Sequence, residues 1–260
     1  MNLDLHGKRA IVCGSTRGIG LASAKALASL GAEIILLARN ESDLQKTLTL
    51  LTPGQNHRYI AADFEKPDEL KDKVGNFILQ SGPVHILVNN TGGPPGGPIT
   101  HAATEEFLKA FSNHLICNQI LAQSVLEGMK KEKFGRIINI ISTSVKQPLK
   151  GLGVSNTVRA AVANWAKTWS NEVAEFGITV NNVLPGATKT DRLVGLIEIK
   201  AKKMNVPVSQ IEEEMIHEIP MKRFASPDEV AQAVVFLASP AASYITGINI
   251  PVDGGRTSNL

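Results

Sequence analysis

Short apolar runs alternate with amphipathic stretches along the whole chain, and this rhythm constrains the fold more than any other feature. The runs fall at 9–13, 34–38, 59–62, 86–89, 136–141, 179–184 and 248–252. Most are apolar on both faces, as strands covered by helices on both sides must be. Between them, stretches near 18–30, 41–51, 67–80, 104–131, 155–176 and 227–238 carry helical spacing. Alternating β and α elements predict an α/β fold: a doubly wound parallel sheet of about seven strands, with right-handed crossovers and helices on both faces. No linker, low-complexity tract or internal repeat interrupts the pattern, so residues 1–260 read as a single domain. The segment 191–221 breaks the rhythm before the last helix and strand. It reads as a helical insertion, a substrate lid at the carboxyl edge of the sheet.

Composition narrows the function classes. With 43% apolar and 20% charged residues the chain is an ordinary globular one. A net charge of +3 is too small a bias for nucleic-acid binding, which needs a concentrated basic face. The densest basic stretch, Lys130-Lys131-Glu132-Lys133, falls where a helix should end, a place that suits cations. No apolar run reaches the ~18 residues a membrane helix needs. Residues 1–8 lack a basic-then-apolar leader, so the expected location is cytoplasmic. Cys13 and Cys117, far apart in sequence, suggest no disulfide framework, and no metal-ligand spacing surrounds them.

The chemistry starts in the first βα turn. Gly14-Ser15-Thr16-Arg17-Gly18-Ile19-Gly20 follows the first strand and enters a helix, with Gly-x-x-x-Gly-x-Gly spacing. Small residues there let the backbone turn tightly and approach a pyrophosphate, while the helix start presents free N–H groups to it. The second strand ends in Ala38-Arg39-Asn40, without the acid that would accept bonds from a ribose 2′-hydroxyl. Arg39, helped by Arg17, can pair with a 2′-phosphate instead. The expected cofactor is therefore NADP(H) in preference to NAD(H).

Together with these features, further segments resemble the short-chain dehydrogenase/reductase family over essentially the whole chain. The motifs are the glycine turn, Asn89-Asn90-Thr91-Gly92, Asn181-Asn182-Val183-Leu184-Pro185-Gly186, and the tail from Arg223 to Gly255. The tail is most similar to the subgroup that contains bacterial β-ketoacyl-acyl-carrier-protein reductases. The resemblance implies a Rossmann-like sheet and adenine contacts at Asp63 and Phe64. It also implies cofactor contacts at Asn90, Thr91 and Gly92, and a nicotinamide cradle at Pro185, Gly186, Thr188 and Thr190. It further implies a homo-oligomer, dimer or tetramer, acting on a small-molecule substrate.

The catalytic set departs from the family. Gly135-Arg136-Ile137-Ile138-Asn139-Ile140-Ile141-Ser142 matches the segment ending in the family's serine. The family's Tyr-x-x-x-Lys should follow about a dozen residues later, yet the matching positions read Ser155-Asn156-Thr157-Val158-Arg159. His114 stands where the family has asparagine. The two tyrosines, Tyr59 and Tyr244, both lie elsewhere and neither precedes a lysine by four. A phenol (reference pKa ~10) can give up a proton to an alkoxide far better than a serine hydroxyl can. Arginine, with a reference pKa of roughly 12.5–13.8, can hold a ribose but relays protons poorly. Losing a positioned acid typically costs ~10²- to 10⁴-fold.

The expected catalytic residues are thus Ser142, Ser155, Arg159 and His114, with Lys146 and Lys150 bordering the substrate side. His114 is either a proton shuttle or a helix histidine with a structural bond, and Ser155 also suits a helix N-cap. Three functions fit: an NADP(H)-dependent oxidoreductase, like a 3-oxoacyl-(acyl-carrier-protein) reductase but with altered proton donation; a non-catalytic NADP(H)-binding sensor or partner; and a dehydratase, isomerase or epimerase on the same scaffold.

Overall fold

The computed structural model describes residues 1–259; Leu260, the last residue of the span read as one domain, lies outside the described residues. Seven strands form one sheet: β1 (Arg9–Cys13), β2 (Glu33–Ala38), β3 (Arg58–Ala61), β4 (Ile86–Asn89), β5 (Gly135–Ile140), β6 (Ile178–Pro185) and β7 (Asn249–Val252). Their spatial order is β3-β2-β1-β4-β5-β6-β7, and all pairings are parallel. The winding direction reverses between β1 and β4, which opens a crevice at their carboxyl ends.

The sheet is covered on both faces, as the doubly apolar strands require. Ala10 and Val12 of β1 join a core with α1 (Gly18–Ser29), α2 (Glu41–Leu48) and α9 (Pro227–Ala238), through Leu27, Leu44, Val230 and Val234. Ile11 and Cys13 point the other way, toward α3 (Pro67–Ser81), α5 (Cys117–Glu132) and α6 (Gly153–Val173). Each fully buried Leu or Ile contributes about 1.5–3 kcal/mol. On the outer side of α6, Trp165 and Trp169 donate to Gln119 Oε1 at 2.7 and 2.9 Å, which ties α6 to α5. Both cysteines are free and buried, and burial pushes both thiols up, so neither is a ready thiolate.

A chain of amides runs across half of the sheet. Asn89, Asn139, Asn182 and Asn249 are direct partners on β4, β5, β6 and β7. Asn89 Nδ2 donates to Asn139 Oδ1 (2.8 Å), Asn139 Nδ2 to Asn182 Oδ1 (2.9 Å) and Asn182 Nδ2 to Asn249 Oδ1 (2.8 Å). A slip by one residue would bury each amide unpaired, so the ladder locks the register.

The structure adjusts three expectations. The helix expected over 104–131 is interrupted: α4 (Thr104–Phe111) and α5 are joined by a π-helical turn, Ser112–Ile116, that carries His114. Such extra-residue turns re-aim side chains and recur at functional sites. Helix α6 starts at Gly153, with Leu152 at its N-cap, so Ser155 sits inside the first turn and does not cap the helix. The insertion 191–221 forms two helices, α7 (Asp191–Met204) and α8 (Val208–His217). They close on a small core of Leu193, Ile197, Ala201 and Ile211, while Met204 stays exposed.

Asn139→Ala should strand one donor and one acceptor of the ladder, at about 1–3 kcal/mol each. Denaturant unfolding should report a loss of roughly 2–6 kcal/mol. A loss within ~0.5 kcal/mol of zero would mean that the ladder does not hold the sheet.

Candidate active site

The crevice is framed by the glycine turn on one side and by the ends of β4, β5 and β6 on the other. Gly14 has φ +57°, and a Cβ there would lie 2.7 Å from the Asn90 carbonyl oxygen. A Cβ on Gly20 would run into the carbonyl oxygen of Gly14. Asn90 Nδ2 donates to the Cys13 carbonyl (3.2 Å), so the turn is pinned across the switch point. Ser15 is buried and donates to Leu37 O at 3.4 Å. Helix α1 has neither a side-chain cap nor an acid in its first turn, which leaves its N–H groups and dipole open to an anion.

The remaining expected cofactor residues rim this turn. Arg39 is exposed just past β2, with no ion pair among the described residues. Arg17 is exposed beside the 191–221 insertion and lies 4.0 Å from Asp191. Asp63 is half-buried, and its Oδ1 accepts from the Glu65 N–H (3.0 Å); Phe64 beside it is buried. Thr91 and Gly92 follow β4, and Pro185 and Gly186 close β6. Thr188 Oγ1 donates to Gly186 O (3.2 Å), and Thr190 caps α7 by accepting from the Leu193 N–H (3.4 Å). The glycine cradle and the uncapped helix start fit a dinucleotide pyrophosphate, and the lone exposed Arg39 fits a further phosphate beyond it.

The residues expected to be catalytic hang on β5 and α6. Ser142 follows β5 in extended backbone, and its Oγ accepts from the Ser144 N–H (3.0 Å). Helix α6 packs against the short turn Thr143–Val145 that Ser142 opens. Arg159, one turn beyond Ser155, donates from Nη1 to Ile140 O (2.9 Å), two residues before Ser142. Ser155 and Arg159 are both 8% exposed. Burial, then the nearby charge of Arg192, holds the Arg159 guanidinium down to about 10, still cationic at neutral pH.

His114 lies behind this set and is 2% exposed. Burial, with the charges of Arg159 and Arg192, pushes its imidazole down to about 2. The sequence left it either a proton shuttle or a helix histidine with a structural bond; the structure buries it, and the charges of two arginines act on it. Its imidazole is therefore held toward the neutral form at pH 7.

Two residues here escaped the sequence reading. Ser144 presents a buried hydroxyl with no hydrogen-bond partner among the described residues. Arg192, in the first turn of α7, donates to Gly93 O (2.7 Å) and Pro94 O (3.0 Å), joining the insertion to the glycine-proline loop after β4. One signal was available: a cation in a first helical turn opposes the dipole. Lys150 is exposed, and the carbonyl of Lys146 accepts from Asn259 Nδ2 (2.8 Å). A cavity of about 100 Å³ adjoins Val154, under the 95–98 loop. A larger one, about 350 Å³, opens around Arg9, Glu33 and His85, at the opposite edge of the sheet. Its arginine is already paired with Glu33, and it has no part in the crevice.

The low imidazole value carries a sign. His114 contributes stability that is complete above about pH 6.5 and is lost as pH falls toward about 2, with a slope of at most ~1.4 kcal/mol per pH unit. Its NMR ring resonances should show no inflection between about pH 5 and 8. His114→Asn should flatten the acid-side loss of stability. A midpoint near 6.5 would restore His114 as a proton source.

Comparison with known proteins covers nearly the whole chain. The family model described as enoyl-(acyl carrier protein) reductase matches residues 14–257. A 3-oxoacyl-[acyl-carrier-protein] reductase of Vibrio cholerae is 35% identical over 255 residues, covering 97% of this chain and 98% of the relative. A D-beta-hydroxybutyrate dehydrogenase of Cupriavidus necator is 35% identical over 262 residues, with 96% and 98% covered. The crystal structure of an L-sorbose reductase from Gluconobacter frateurii, complexed with NADPH and L-sorbose, superposes with a TM-score of 0.93 at 32% identity, covering both chains fully.

Proposed function

The chain belongs to the short-chain dehydrogenase/reductase family, and from that premise we propose that it is an NADP(H)-dependent oxidoreductase acting on a carbonyl or alcohol without a tyrosine acid. The observation that carries this reading is the joint presence of an intact dinucleotide cradle and a reaction edge of Ser142, Ser155 and Arg159. The relatives named as reductases and the NADPH-bound neighbour support it. When bound, the cofactor supplies or accepts the hydride.

The chain's own part is to hold and polarise the substrate oxygen. Ser142 Oγ already accepts the Ser144 N–H, so its own O–H is left to donate to that oxygen. Ser155 adds a second donor from the first turn of α6. Arg159, out of water and anchored on Ile140 O, supports the growing negative charge and holds the ribose. An oxyanion donor is worth about 2.7–4 kcal/mol, comparable to the ~3–5 kcal/mol that a missing general acid takes away. Turnover therefore survives, slowed, with the final proton drawn from solvent. The 191–221 insertion serves as the lid that covers the substrate.

NADPH binding, followed by fluorescence, and NADPH oxidation across a ketone panel test the reading; binding without any turnover would favour the sensor. Arg39→Asp should weaken NADPH by about 10- to 100-fold and leave NADH unchanged or tighter. Equal loss of both would remove Arg39 from the 2′-phosphate. Ser155→Tyr combined with Arg159→Lys should raise ketone reduction by ~10²-fold or more, in line with a restored acid. No gain in a folded, NADPH-binding variant would take these positions away from the reacting oxygen.

A further inference from the structure

The segment that follows β7, residues 253–259, touches three separate parts of the chain. The Asp253 carboxylate shapes it: Oδ1 accepts from the Gly255 N–H (3.0 Å) and Oδ2 from the Thr257 N–H (2.8 Å). Gly254 and Gly255 supply the left-handed backbone of this turn, with φ +65° and +84°.

The first contact is with the end of β6. The Gly186 N–H donates to Val252 O (2.9 Å), and a Cβ on Gly186 would lie 2.7 Å from Asp253 Cβ. The second is with the far end of the 191–221 insertion. A Cβ on Gly254 would lie 2.9 Å from the buried Ile219 side chain, and the Met221 N–H donates to Gly254 O (3.2 Å). Arg256 Nη2 donates to Glu218 Oε2 (2.5 Å). The third is with the turn that Ser142 opens. Asn259 Nδ2 donates to Lys146 O (2.8 Å), the Lys146 N–H to Thr143 O (2.9 Å) and the Val145 N–H to Ser142 O (3.2 Å).

A continuous run of bonds therefore leads from Glu218, through Arg256 and Asn259, to Ser142. An exposed ion pair or a single neutral hydrogen bond adds little to global stability. What these bonds fix is position. The Ser142 hydroxyl is aligned by this same turn, because its Oγ accepts from the Ser144 N–H (3.0 Å). A displacement of about 1 Å at a reacting group can cost ~10²-fold in rate. The later part of the loop has ties of its own, from Asn156 Nδ2 to Leu149 O (2.8 Å) and from the Gly97 N–H to Gly151 O (2.7 Å).

We propose that Arg256 and Asn259 are positioning residues for Ser142, and that the segment 253–259 makes the placement of its turn depend on the 191–221 insertion. The proposal rests on the oxidoreductase reading and adds to it a link between the seating of the insertion and the alignment of the hydroxyl that polarises the substrate oxygen.

Residue-resolved amide hydrogen exchange on the full chain, with and without NADPH, tests the link without any substrate. Asn259→Ala should speed exchange at Val145 and Lys146 by about 3- to 10-fold, the worth of one hydrogen bond. Asn259→Gln, which keeps an amide donor, should restore part of the protection. Arg256→Gln should speed the same two amides although Arg256 does not touch them, and Arg256→Glu combined with Glu218→Arg should return them to the native rate. With a ketone that the native chain reduces, Asn259→Ala should lower kcat by about 10-fold and leave NADPH affinity and melting temperature unchanged. Native exchange at Val145 and Lys146 in Asn259→Ala would overturn the proposal. So would an Arg256→Gln variant whose exchange changes only at 218–221, or an Asn259→Ala variant with native kcat. A native chain that reduces no ketone would sink the oxidoreductase reading alone, since the exchange rates still decide the link.

Discussion

The hydrogen-bonded amides of Asn89, Asn139, Asn182 and Asn249 hold β4 to β7 in one register, and the crevice inherits its geometry from them. One residue after Asn89 comes Asn90, which pins the glycine turn. Three residues after Asn139 comes Ser142, and β6 runs on from Asn182 to Pro185 and the Thr188–Thr190 loop. Polar side chains inside a sheet are a liability unless they are paired; this ladder makes every inter-strand amide bond and leaves Asn89 Oδ1 without a partner among the described residues. Here the penalty for breaking the chain anywhere makes a slipped sheet far less stable than the native one. A packed apolar interface alone tolerates exchange and small shifts more readily.

The reaction edge built on this frame is unusual in its charge. Where the family places a phenol and an ammonium, this chain places a hydroxyl and a buried guanidinium, with a neutral imidazole behind them. The exchange removes a proton donor and strengthens a positive field. A site of this kind stabilises negative charge well and delivers protons poorly.

Much of this was legible in the sequence, because the signals were local. Doubly apolar runs gave the seven strands to within a residue or two, and Gly14 through Gly20 marked the first turn. The substitutions at 155 and 159 were visible because the segment before Ser142 fixed the count. What escaped depended on contacts between distant segments. The amide ladder joins residues up to 160 positions apart, from Asn89 to Asn249, and each asparagine alone looks like an ordinary turn or strand-end residue. The π-helical turn at Ser112–Ile116 leaves the apolar pattern of 104–131 intact, so periodicity could not show the break. The neutral state of His114 follows from packing and from Arg192, a residue 78 positions away, which no local pattern connects to it.

The central claim is that this crevice moves hydride with no side chain positioned to supply the proton. Its most direct test is the steady-state rate of NADPH-dependent ketone reduction at fixed pH and ionic strength, with rising imidazole or phosphate buffer. The account predicts a rate that climbs with the concentration of buffer acid and falls in deuterated solvent, as external molecules take over the missing step. A rate that ignores the buffer while still falling in deuterated solvent would reveal an internal proton donor and contradict the account.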